Sequence, residues 1–359
     1  MTMRLHDTAR GEVVPFEPGP VVSMYVCGIT PYDSTHLGHA FTYLSHDLLI
    51  RRLEDLGHEV RMVRNFTDVD DPLYDKAREL GVDAMGLAER EIARFRADMV
   101  ALDTRPPVAE PRVSTSIPEI IDVVERLLAT GCAYTVDGTT YFDVTTFDRF
   151  GDLSRSDEAT LISLSAKRGG TPDDPHQRHP LDFVLWKPSA DGEDRWDSPF
   201  GSGRPGWHVE CTAMATTHLG PTLDLHGGGS DLVFPHHECE IAQSESVTGV
   251  TFARHWFHGG MVGYQGEKMS KSLGNLVFVS ELRERHDPRA IRLALLRFRY
   301  RDDFEWFDEM IDDGSDDLAL LTAAADRDAG PDPTDVAAAV RACLDDDLDT
   351  AGARVALLD

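Results

Sequence analysis

The sequence has no long hydrophobic run. Its apolar stretches are interrupted well before the roughly 18 residues that a membrane-spanning helix needs. Its opening, "MTMRLHDTARGEVVPFEPGP", also contains no apolar block of the kind that a secretory signal requires. We therefore expect a cytoplasmic protein with no membrane partner.

Cysteine is also scarce. The five cysteines are an odd number and are scattered over 359 residues, at Cys27, Cys132, Cys211, Cys239 and Cys343. In a chain that shows no export signal, such a set does not indicate a disulfide framework. We expect the thiols to be free or bound to a metal.

Positive charge is the third shortage. The chain has 35 basic and 63 acidic residues, and only five of the basic residues are lysines. From Asp302 onward it has 18 acidic residues and three arginines. Proteins that bind nucleic acid usually show a basic stripe, so this composition disfavours nucleic acid as a partner. The alternative, that acidity only keeps the protein soluble, stays open.

The apolar residues that are present predict a layered fold. Hydrophobic residues make up 41% of the chain, enough for a large core and two or three packed units. Residues 21–27 read as a buried strand, and a helix follows, capped by Ser34 or Thr35 and closed by Gly57. Residues 58–66 alternate like a second strand. A strand, a helix and a strand in this order predict an α/β fold with a parallel sheet.

The remaining patterns indicate how the chain is organised. Helical periodicity covers 72–103 and 117–130, whereas the stretch 151–206, which is rich in Gly, Pro and Asp, reads as loops. Sheet-like sequence returns at 222–230. From about residue 288 the pattern is helical and acidic, with "GPDP" as a break between helices.

The stretch "PYDSTHLGHA" lies where the first strand gives way to a helix. Ligands of open parallel sheets bind beyond the carboxyl ends of the strands, where helix N-termini offer unpaired N–H groups. His36 and His39 project from one side of the first helical turn, and Gly38 has no side chain that would block a ligand. The turn is therefore a candidate triphosphate site. The alternative is a histidine at the cap and a glycine needed for packing.

The stretch "GEKMSKSLGN" contains two of the five lysines. Lys268 and Lys271 carry ammonium groups on flexible stems, which suit charge that develops on a phosphate during a reaction. A solvated surface loop is the alternative.

Thiol, imidazole and carboxylate side chains occur in "YVCG", "GWHVEC" and "FPHHECE". Zinc prefers these ligands, and a catalytic zinc keeps one position open. The alternative is that the cysteines are only small buried hydrophobic residues. If a helix begins near Pro235, His236 and Glu240 share one face, and His237 and Cys239 point elsewhere.

Two of these stretches resemble the signatures of the class I aminoacyl-tRNA synthetases. Residues 36–39 are similar to the HIGH motif, and residues 268–272 are similar to the KMSKS motif. With "NFTDVDD", "PGWHVEC" and "LHGGGSDLVFPHHE", they resemble the cysteine-activating branch of that family over about residues 20–310. The amino-acid sequences around both signatures are similar to those of the mycothiol-pathway ligases of this branch. "HHECEIAQSE" is closer to the cysteinyl-tRNA synthetases.

The resemblance implies a division of the chain. The fold would be a class I synthetase-type Rossmann nucleotide-binding domain of the α/β class, with an inserted connective segment and a C-terminal helical domain. The two halves of the Rossmann domain would span 20–110 and 206–285, and the second half would contain the KMSKS loop. The inserted segment would span 111–205, and the acidic helical domain would span 286–359.

The resemblance also implies a reaction. ATP would convert L-cysteine to cysteinyl-AMP and pyrophosphate, and the amine of glucosaminyl-inositol would displace AMP to form an amide. Mg²⁺ would accompany ATP. One zinc ion per chain would bind the thiol of cysteine and so reject serine, because thiolate is the far better ligand. We expect a monomer, and we do not expect tRNA as a partner.

Matching the family motifs assigns roles to individual residues. The catalytic residues would be His36, His39, Lys268 and Lys271. ATP would also contact Thr30, Gly38, Gly227, Gly228, Gly229 and Asp231. Cysteine and its adenylate would contact Cys27, Gly28, Thr30, Thr67 and Trp207. Zinc would be bound by Cys27, Cys211 and His236, and whether Glu240 is a further ligand stays open. The candidate bases for the acceptor amine are Asp68, Asp70 and Asp71.

Two other functions remain open from the sequence. One is a cysteinyl-tRNA synthetase, whole or in part, and the other is a catalytically silent binding protein of synthetase type. The acidic C-terminal stretch shows no basic tRNA-binding module, which favours a small amine as the acceptor. The intact signatures and candidate ligands disfavour the silent protein.

Overall fold

The computed structural model describes residues 2–33, 35–269, 274–330 and 332–358, and at residue 268 it describes only the backbone. The strands are β1 Arg4–Asp7, β2 Glu12–Pro15, β3 Val21–Ile29, β4 Glu59–Phe66, β5 Ala133–Val136, β6 Thr139–Phe142, β7 Phe183–Lys187, β8 Arg204–Pro205, β9 Leu225–Gly229, β10 Trp256–Gly259, β11 Val262–Tyr264, β12 Glu267–Lys268 and β13 Phe304–Trp306. The helices are α1 Leu37–Asp55, α2 Asp71–Leu80, α3 Ala84–Ala101, α4 Ile117–Ala129, α5 Glu158–Lys167, α6 Trp207–Leu219, α7 Glu238–Thr248, α8 Val279–Leu282, α9 Pro288–Leu295, α10 Met310–Ala325, α11 Thr334–Asp345 and α12 Thr350–Leu358.

A four-stranded parallel sheet, in the order β10, β9, β3, β4, lies at the centre of the fold. The predicted strand–helix–strand unit consists of β3, α1 and β4. Met24 and Val26 of β3 and Leu225 of β9 are buried in one hydrophobic core together with Phe41 and Leu44 of α1. A strand that is covered on both faces needs apolar residues at nearly every position, and the apolar run at 21–27 therefore predicted β3 correctly. The predicted α/β fold with a parallel sheet is confirmed.

Helix α1 is capped by an imidazole. Nδ1 of His36 accepts the backbone N–H of Gly38 at 3.1 Å and that of His39 at 3.4 Å. The imidazole thus satisfies two donors of the first turn, which is the role that a short oxygen side chain usually has. The predicted cap at Thr35 is wrong, because the helix begins one residue later than expected, and Ser34 lies outside the described residues.

The inserted segment has more regular structure than its composition indicated. Strands β5, β6, β7 and β8 form an antiparallel sheet, and α5 lies between β6 and β7 in the chain. The prediction of loops throughout 151–206 is therefore wrong at α5, β7 and β8. Trp186 of β7 is fully buried and supplies a large apolar side chain to the core beneath the sheet. Packing of such residues overrides the local Gly, Pro and Asp signals.

The C-terminal part is mainly helical, as predicted, and α10 and α11 are separate helices on the two sides of the "GPDP" break. It also contains β13, which pairs in parallel with β11. Arg52 of α1 donates two hydrogen bonds to Asp345 of α11, at 2.8 and 2.9 Å, and both side chains are buried. This ion pair joins the acidic C-terminal helices to α1, which packs on the parallel sheet. The proposed boundary between 285 and 286 stays a prediction.

Among the described residues, no helix combines the length and apolar character that crossing a membrane would take.

Candidate active site

A cavity of about 530 Å³ lies among residues that end or follow β3, β9 and β10. This is the edge of a parallel sheet at which ligands are expected. The predicted site residues that line it are Cys27, Gly28, Thr30, His36, Gly38, His39, Trp207, Gly229 and Asp231. The fold thus gathers most of the predicted nucleotide and cysteine contacts around one space.

Two histidines of the first helical turn stack at this cavity. The ring centroids of His36 and His39 are 3.8 Å apart, and the rings are inclined by 27°. A Cβ at Gly38 would lie 2.9 Å from Cε1 of His36, so a larger residue would displace the ring. The prediction that both rings share one side of the turn is confirmed, and the glycine also lets the imidazole cap the helix.

The segment after the KMSKS motif is hydrogen-bonded to this same turn. The N–H of Leu37 donates to the carbonyl oxygen of Val277 at 2.9 Å, and the N–H of Val279 donates to that of Thr35 at 3.0 Å. Met269, in the KMSKS motif itself, lines the cavity. The two motifs therefore meet at one site. Lys271 and the side chain of Lys268 lie outside the described residues, and their roles stay predictions.

Four buried side chains converge beside the cavity, and one of them, Cys27, lines it. Sγ of Cys27 on β3 is 3.9 Å from Sγ of Cys211 on α6 and 3.6 Å from Oε1 of Glu240 on α7. Nε2 of His236 is 3.0 Å from the same oxygen of Glu240. One donor atom from each of the four residues lies within 4.8 Å of the other three. Helix α7 begins at Glu238, and its preceding turn brings His236 and Glu240 together as the i, i+4 spacing predicts.

The charges in this cluster are strongly coupled. Burial acts to raise the pKa of Cys211, but the hydrogen bond with Cys27 and the charge of His236 lower it to about 6. Burial likewise acts to raise the pKa of Glu240, but the charges of His226 and His236 hold it at about 2. Burial and the neighbouring Cys211 raise the pKa of Cys27. Burial acts to lower the pKa of His236, but the charges of Glu240 and Cys211 raise it to about 10. The thiolate and the carboxylate are therefore paired with a protonated imidazole, and a metal ion that binds there replaces that proton.

These donors fit a zinc ion. Two sulfurs, one imidazole nitrogen and one carboxylate oxygen form a ligand set that binds zinc in preference to harder cations such as Mg²⁺. The second nitrogen of His236 is 3.0 Å from Nδ1 of His208, and Trp207 stacks on His236 with ring centroids 4.4 Å apart. Such outer partners fix the orientation of a metal-binding imidazole. The buried cluster is consistent with the zinc site that the sequence predicted, and Glu240 lies within it.

Two further histidines contact the cluster, and the sequence analysis did not predict either contact. Nε2 of His237 is 3.3 Å from Sγ of Cys27, so the expectation that His237 points elsewhere is wrong. Nε2 of His226 is 2.8 Å from Oε2 of Glu240, and His226 had not been singled out at all. The backbone at Phe234 is extended (φ −135°, ψ 136°), so residues 233–237 do not form a regular helical turn, and helical spacing does not predict the direction of His237. The histidine before "GGG" was the available signal for His226.

The three consecutive glycines have different surroundings. Gly229 lines the cavity together with Asp231. A Cβ at Gly227 would lie 2.3 Å from the carbonyl oxygen of Phe257 and 2.4 Å from Nε2 of His46. A Cβ at Gly228 would lie 2.8 Å from Cδ1 of Leu232. Neither Gly227 nor Gly228 lines the cavity formed by the described residues, so their predicted contacts with ATP stay predictions.

We expect Gly227→Ala to destabilise the protein by about 1–3 kcal/mol, because its methyl group would overlap backbone atoms of β10. Chemical denaturation measures the free energy of unfolding. Gly19→Ala is the matched control, because the nearest atom to its Cβ is 3.9 Å away. A Gly227→Ala protein with the stability of the wild type and a weakened affinity for ATP would contradict the structural role and support the nucleotide contact.

The two predicted threonine contacts have different positions. Thr30 lines the cavity, and its hydroxyl donates to Oδ2 of Asp70 at 3.1 Å. Thr67 is buried and does not line this cavity in the described part of the chain. Its hydroxyl accepts a hydrogen bond from Nδ2 of Asn65 at 3.1 Å. The predicted contact of Thr67 with the adenylate stays a prediction.

The three acidic residues of "DVDD" also differ. Ser114 donates to both carboxylate oxygens of Asp68, at 2.9 and 2.6 Å. Asp71 forms ion pairs with Lys187 and Arg204. Burial, followed by the charge of Asp71, raises the pKa of Asp70 to about 6. Of the three, Asp70 therefore has the carboxylate best suited to exchange a proton near neutral pH.

The parallel sheet, the two joined signature motifs and the buried thiol cluster define a class I synthetase-type catalytic domain. The family described as "tRNA synthetases class I (C) catalytic domain" matches residues 13–316, and the chain belongs to that family. The chain is 52% identical over 360 residues to the L-cysteine:1D-myo-inositol 2-amino-2-deoxy-alpha-D-glucopyranoside ligase of Thermobispora bispora, covering 100% of this chain and 89% of the relative. It is 51% identical to the ligase of the same name from Mycolicibacterium smegmatis, covering 99% of this chain and 88% of the relative.

Solved structures confirm the fold. Methionyl-tRNA synthetase of Mycobacterium tuberculosis, bound by methionyl-adenylate, matches with a TM-score of 0.68 and 19% identity, over 94% of this chain and 82% of that chain. The leucyl-tRNA synthetase of Agrobacterium radiobacter, in a ternary complex, matches with a TM-score of 0.64 and 12% identity, over 96% of this chain and 83% of that chain. At these identities the likeness concerns the architecture alone.

Proposed function

We propose that this protein is an ATP-dependent, AMP-forming ligase that joins L-cysteine to the amine of glucosaminyl-inositol, a step of mycothiol biosynthesis. The observation that carries the proposal is about half identity to ligases of that name along the whole chain. The buried thiol cluster beside the nucleotide-type cavity provides the matching chemistry. Because the reaction consumes ATP and the chain resembles biosynthetic enzymes, we place it in the cytoplasm. A monomer stays a prediction.

The first half-reaction would form cysteinyl-AMP and pyrophosphate. His36 and His39 would seat ATP at the N-terminus of α1, where the helix dipole favours the triphosphate. Lys268 and Lys271 would stabilise negative charge at the α-phosphate as pyrophosphate leaves. Asp231 and Gly229, which also line the cavity, would contact the adenosine. Mg²⁺ would enter with ATP.

Recognition of cysteine would take place at the buried thiol cluster beside the cavity. A zinc ion bound there supplies a ligand position that prefers a thiolate over a hydroxyl. Cys27, Cys211 and His236 would hold that ion, and Glu240 has an oxygen placed for the same purpose. Trp207 lines the cavity and stacks on His236, so it would pack against the bound side chain of cysteine.

The second half-reaction would transfer the cysteinyl group to the amine. The acceptor nitrogen must be an unprotonated amine to attack the carbonyl carbon of the adenylate, and it loses a further proton as the amide forms. Asp70 would accept that proton, since its pKa of about 6 leaves it mostly ionised near neutral pH and it is hydrogen-bonded to Thr30 of the cavity. AMP then leaves, and an amide bond remains.

The acceptor decides between the two synthetase-type functions. With cysteine and ATP present, we expect steady formation of AMP to require glucosaminyl-inositol and to be unaffected by tRNA. A tRNA needs an extended basic surface, and the chain carries 18 acidic residues against three arginines from Asp302 onward. The measurement is AMP release over time, with the amide product identified by mass.

The N-acetylated amino sugar is the control, because it keeps the sugar and the inositol and has no free amine. It should give no more AMP than the reaction without an acceptor. Cysteinylation of tRNA, with no response to the free amino sugar, would make the protein a cysteinyl-tRNA synthetase. Failure to form any adenylate would favour a silent binding protein.

A further inference from the structure

We propose that Asn65 is a positioning residue that fixes the thiol-recognition end of the site by holding a bulge of β3 beside the two predicted cysteine ligands. The inference rests on the proposed function, because it assigns Asn65 to the recognition of cysteine by the metal site. Asn65 lies near the end of β4 and is fully buried.

The pairing of β3 with β4 is irregular at one point. Val26 pairs with Arg64 and Ile29 pairs with Phe66, so Cys27 and Gly28 together face the single residue Asn65. This two-against-one arrangement is a β-bulge, which redirects side chains and is common next to active sites. Here the redirected residue is Cys27, whose sulfur reaches His237 at 3.3 Å and Glu240 at 3.6 Å.

The side chain of Asn65 compensates for the bulge. The N–H of Gly28 donates to Oδ1 of Asn65 at 2.8 Å. A Cβ at Gly28 would lie 1.6 Å from the backbone oxygen of Asn65, so the two strands approach as closely as glycine allows. A buried N–H without an acceptor destabilises the folded state. The amide oxygen therefore stabilises the backbone geometry that directs Cys27 into the cluster.

The same amide contacts the second predicted ligand. Oδ1 of Asn65 is 3.6 Å from Sγ of Cys211, and Nδ2 donates to the hydroxyl of Thr67 at 3.1 Å. Because the N–H of Gly28 requires an acceptor, the amide is oriented with its oxygen toward Gly28 and Cys211. One neutral side chain thus links the positions of both cysteines. Replacing it alters the donor set from outside, as partners of metal ligands generally do.

The test uses the cobalt(II)-loaded protein and Asn65→Ala. We expect its cobalt affinity to fall about 10- to 100-fold, its visible absorption in the presence of cysteine to change, and its KM for cysteine to rise by a similar factor. The KM for ATP should stay within about twofold. The hydrogen bonds of the Asn65 side chain in the described part of the chain go to Gly28, Thr67 and Cys211, and not to the predicted ATP contacts His36, His39 and Asp231. Both KM values are measured by pyrophosphate exchange, which needs no acceptor amine. If the assay with glucosaminyl-inositol fails, the proposed function is overturned, but the effect of Asn65→Ala on cobalt and cysteine can still be measured.

Asp182→Ala is the matched control for the loss of a buried side chain that accepts hydrogen bonds. Asp182 is buried in the inserted segment and accepts hydrogen bonds from the hydroxyl of Tyr134 and the N–H of Val144. This variant should lower Tm and leave the cobalt spectrum and the KM for cysteine unchanged. If Asn65→Ala behaves in the same way as this control, the positioning role is wrong.

Asn65→Asp provides a second variant in case the alanine protein does not fold. It keeps the shape of the side chain and an acceptor for Gly28, so we expect it to fold. Its added charge lies beside Cys211, so the cobalt affinity should differ from the wild-type value by at least about tenfold, because a charge this close to the donor set acts directly on the bound cation. Wild-type cobalt affinity and absorption in this variant would overturn the proposal.

Discussion

Cys211→Ala is expected to empty the metal site and to reduce cysteine activation by at least about a hundredfold. Zinc sites with four ligands contribute about 10–16 kcal/mol of binding free energy, so losing one ligand costs roughly 3 kcal/mol or more. Cys211 lies at the centre of the donor set, 3.9 Å from Sγ of Cys27, and its lowered pKa favours the thiolate that a metal needs. Elemental analysis gives zinc per chain, and pyrophosphate exchange gives the rate of activation.

Cys239→Ala is the matched control for this prediction. Cys239 is equally buried on α7, but it belongs to neither of the donor groups found among the described residues. Its replacement should leave the zinc content unchanged. Full zinc content in Cys211→Ala would refute the assignment. Glu240→Gln in the same assay decides the open question, because a ligand loses zinc on this change, whereas a neighbour retains it.

Lys271→Ala is expected to slow adenylate formation by about 10²–10³-fold with almost no change in cysteine binding. A cation that acts on charge present mainly in the transition state lowers kcat and kcat/KM together. Lys271 follows Met269 in the chain, and Met269 lines the cavity. The segment after the motif is hydrogen-bonded to the turn of His36. Pre-steady-state release of pyrophosphate measures the step directly.

Lys76→Ala is the control for the loss of a lysine charge. Lys76 lies on α2 and pairs with Glu79 at 3.0 Å, so its removal should leave the rate within about twofold. Pyrophosphate release at the wild-type rate in Lys271→Ala would exclude the proposed catalytic role. A changed affinity for cysteine with an unchanged rate would place the lysine in binding instead.

The sequence was sufficient for features that depend on near neighbours in the chain. Apolar runs placed β3 and the alternating pattern placed β4, because strand patterns repeat over a few neighbouring residues of the chain. The i, i+4 relation of His236 and Glu240 follows from helix geometry and appears in the structure. Composition was a poorer guide in the inserted segment, where β7 and β8 form despite many turn residues.

The sequence by itself determined the α/β class, the order of the two signature motifs and the residue types available for a metal. The tertiary structure alone decided which of those residues meet. Cys27 is 184 positions from Cys211 and 213 from Glu240, and local patterns carry no information about distances over such separations. Cys27 lies in a β-bulge, and His237 follows a break in the helical backbone at Phe234. Both irregularities affect the direction of a side chain, because a shift of one residue in strand register moves a side chain to the other face.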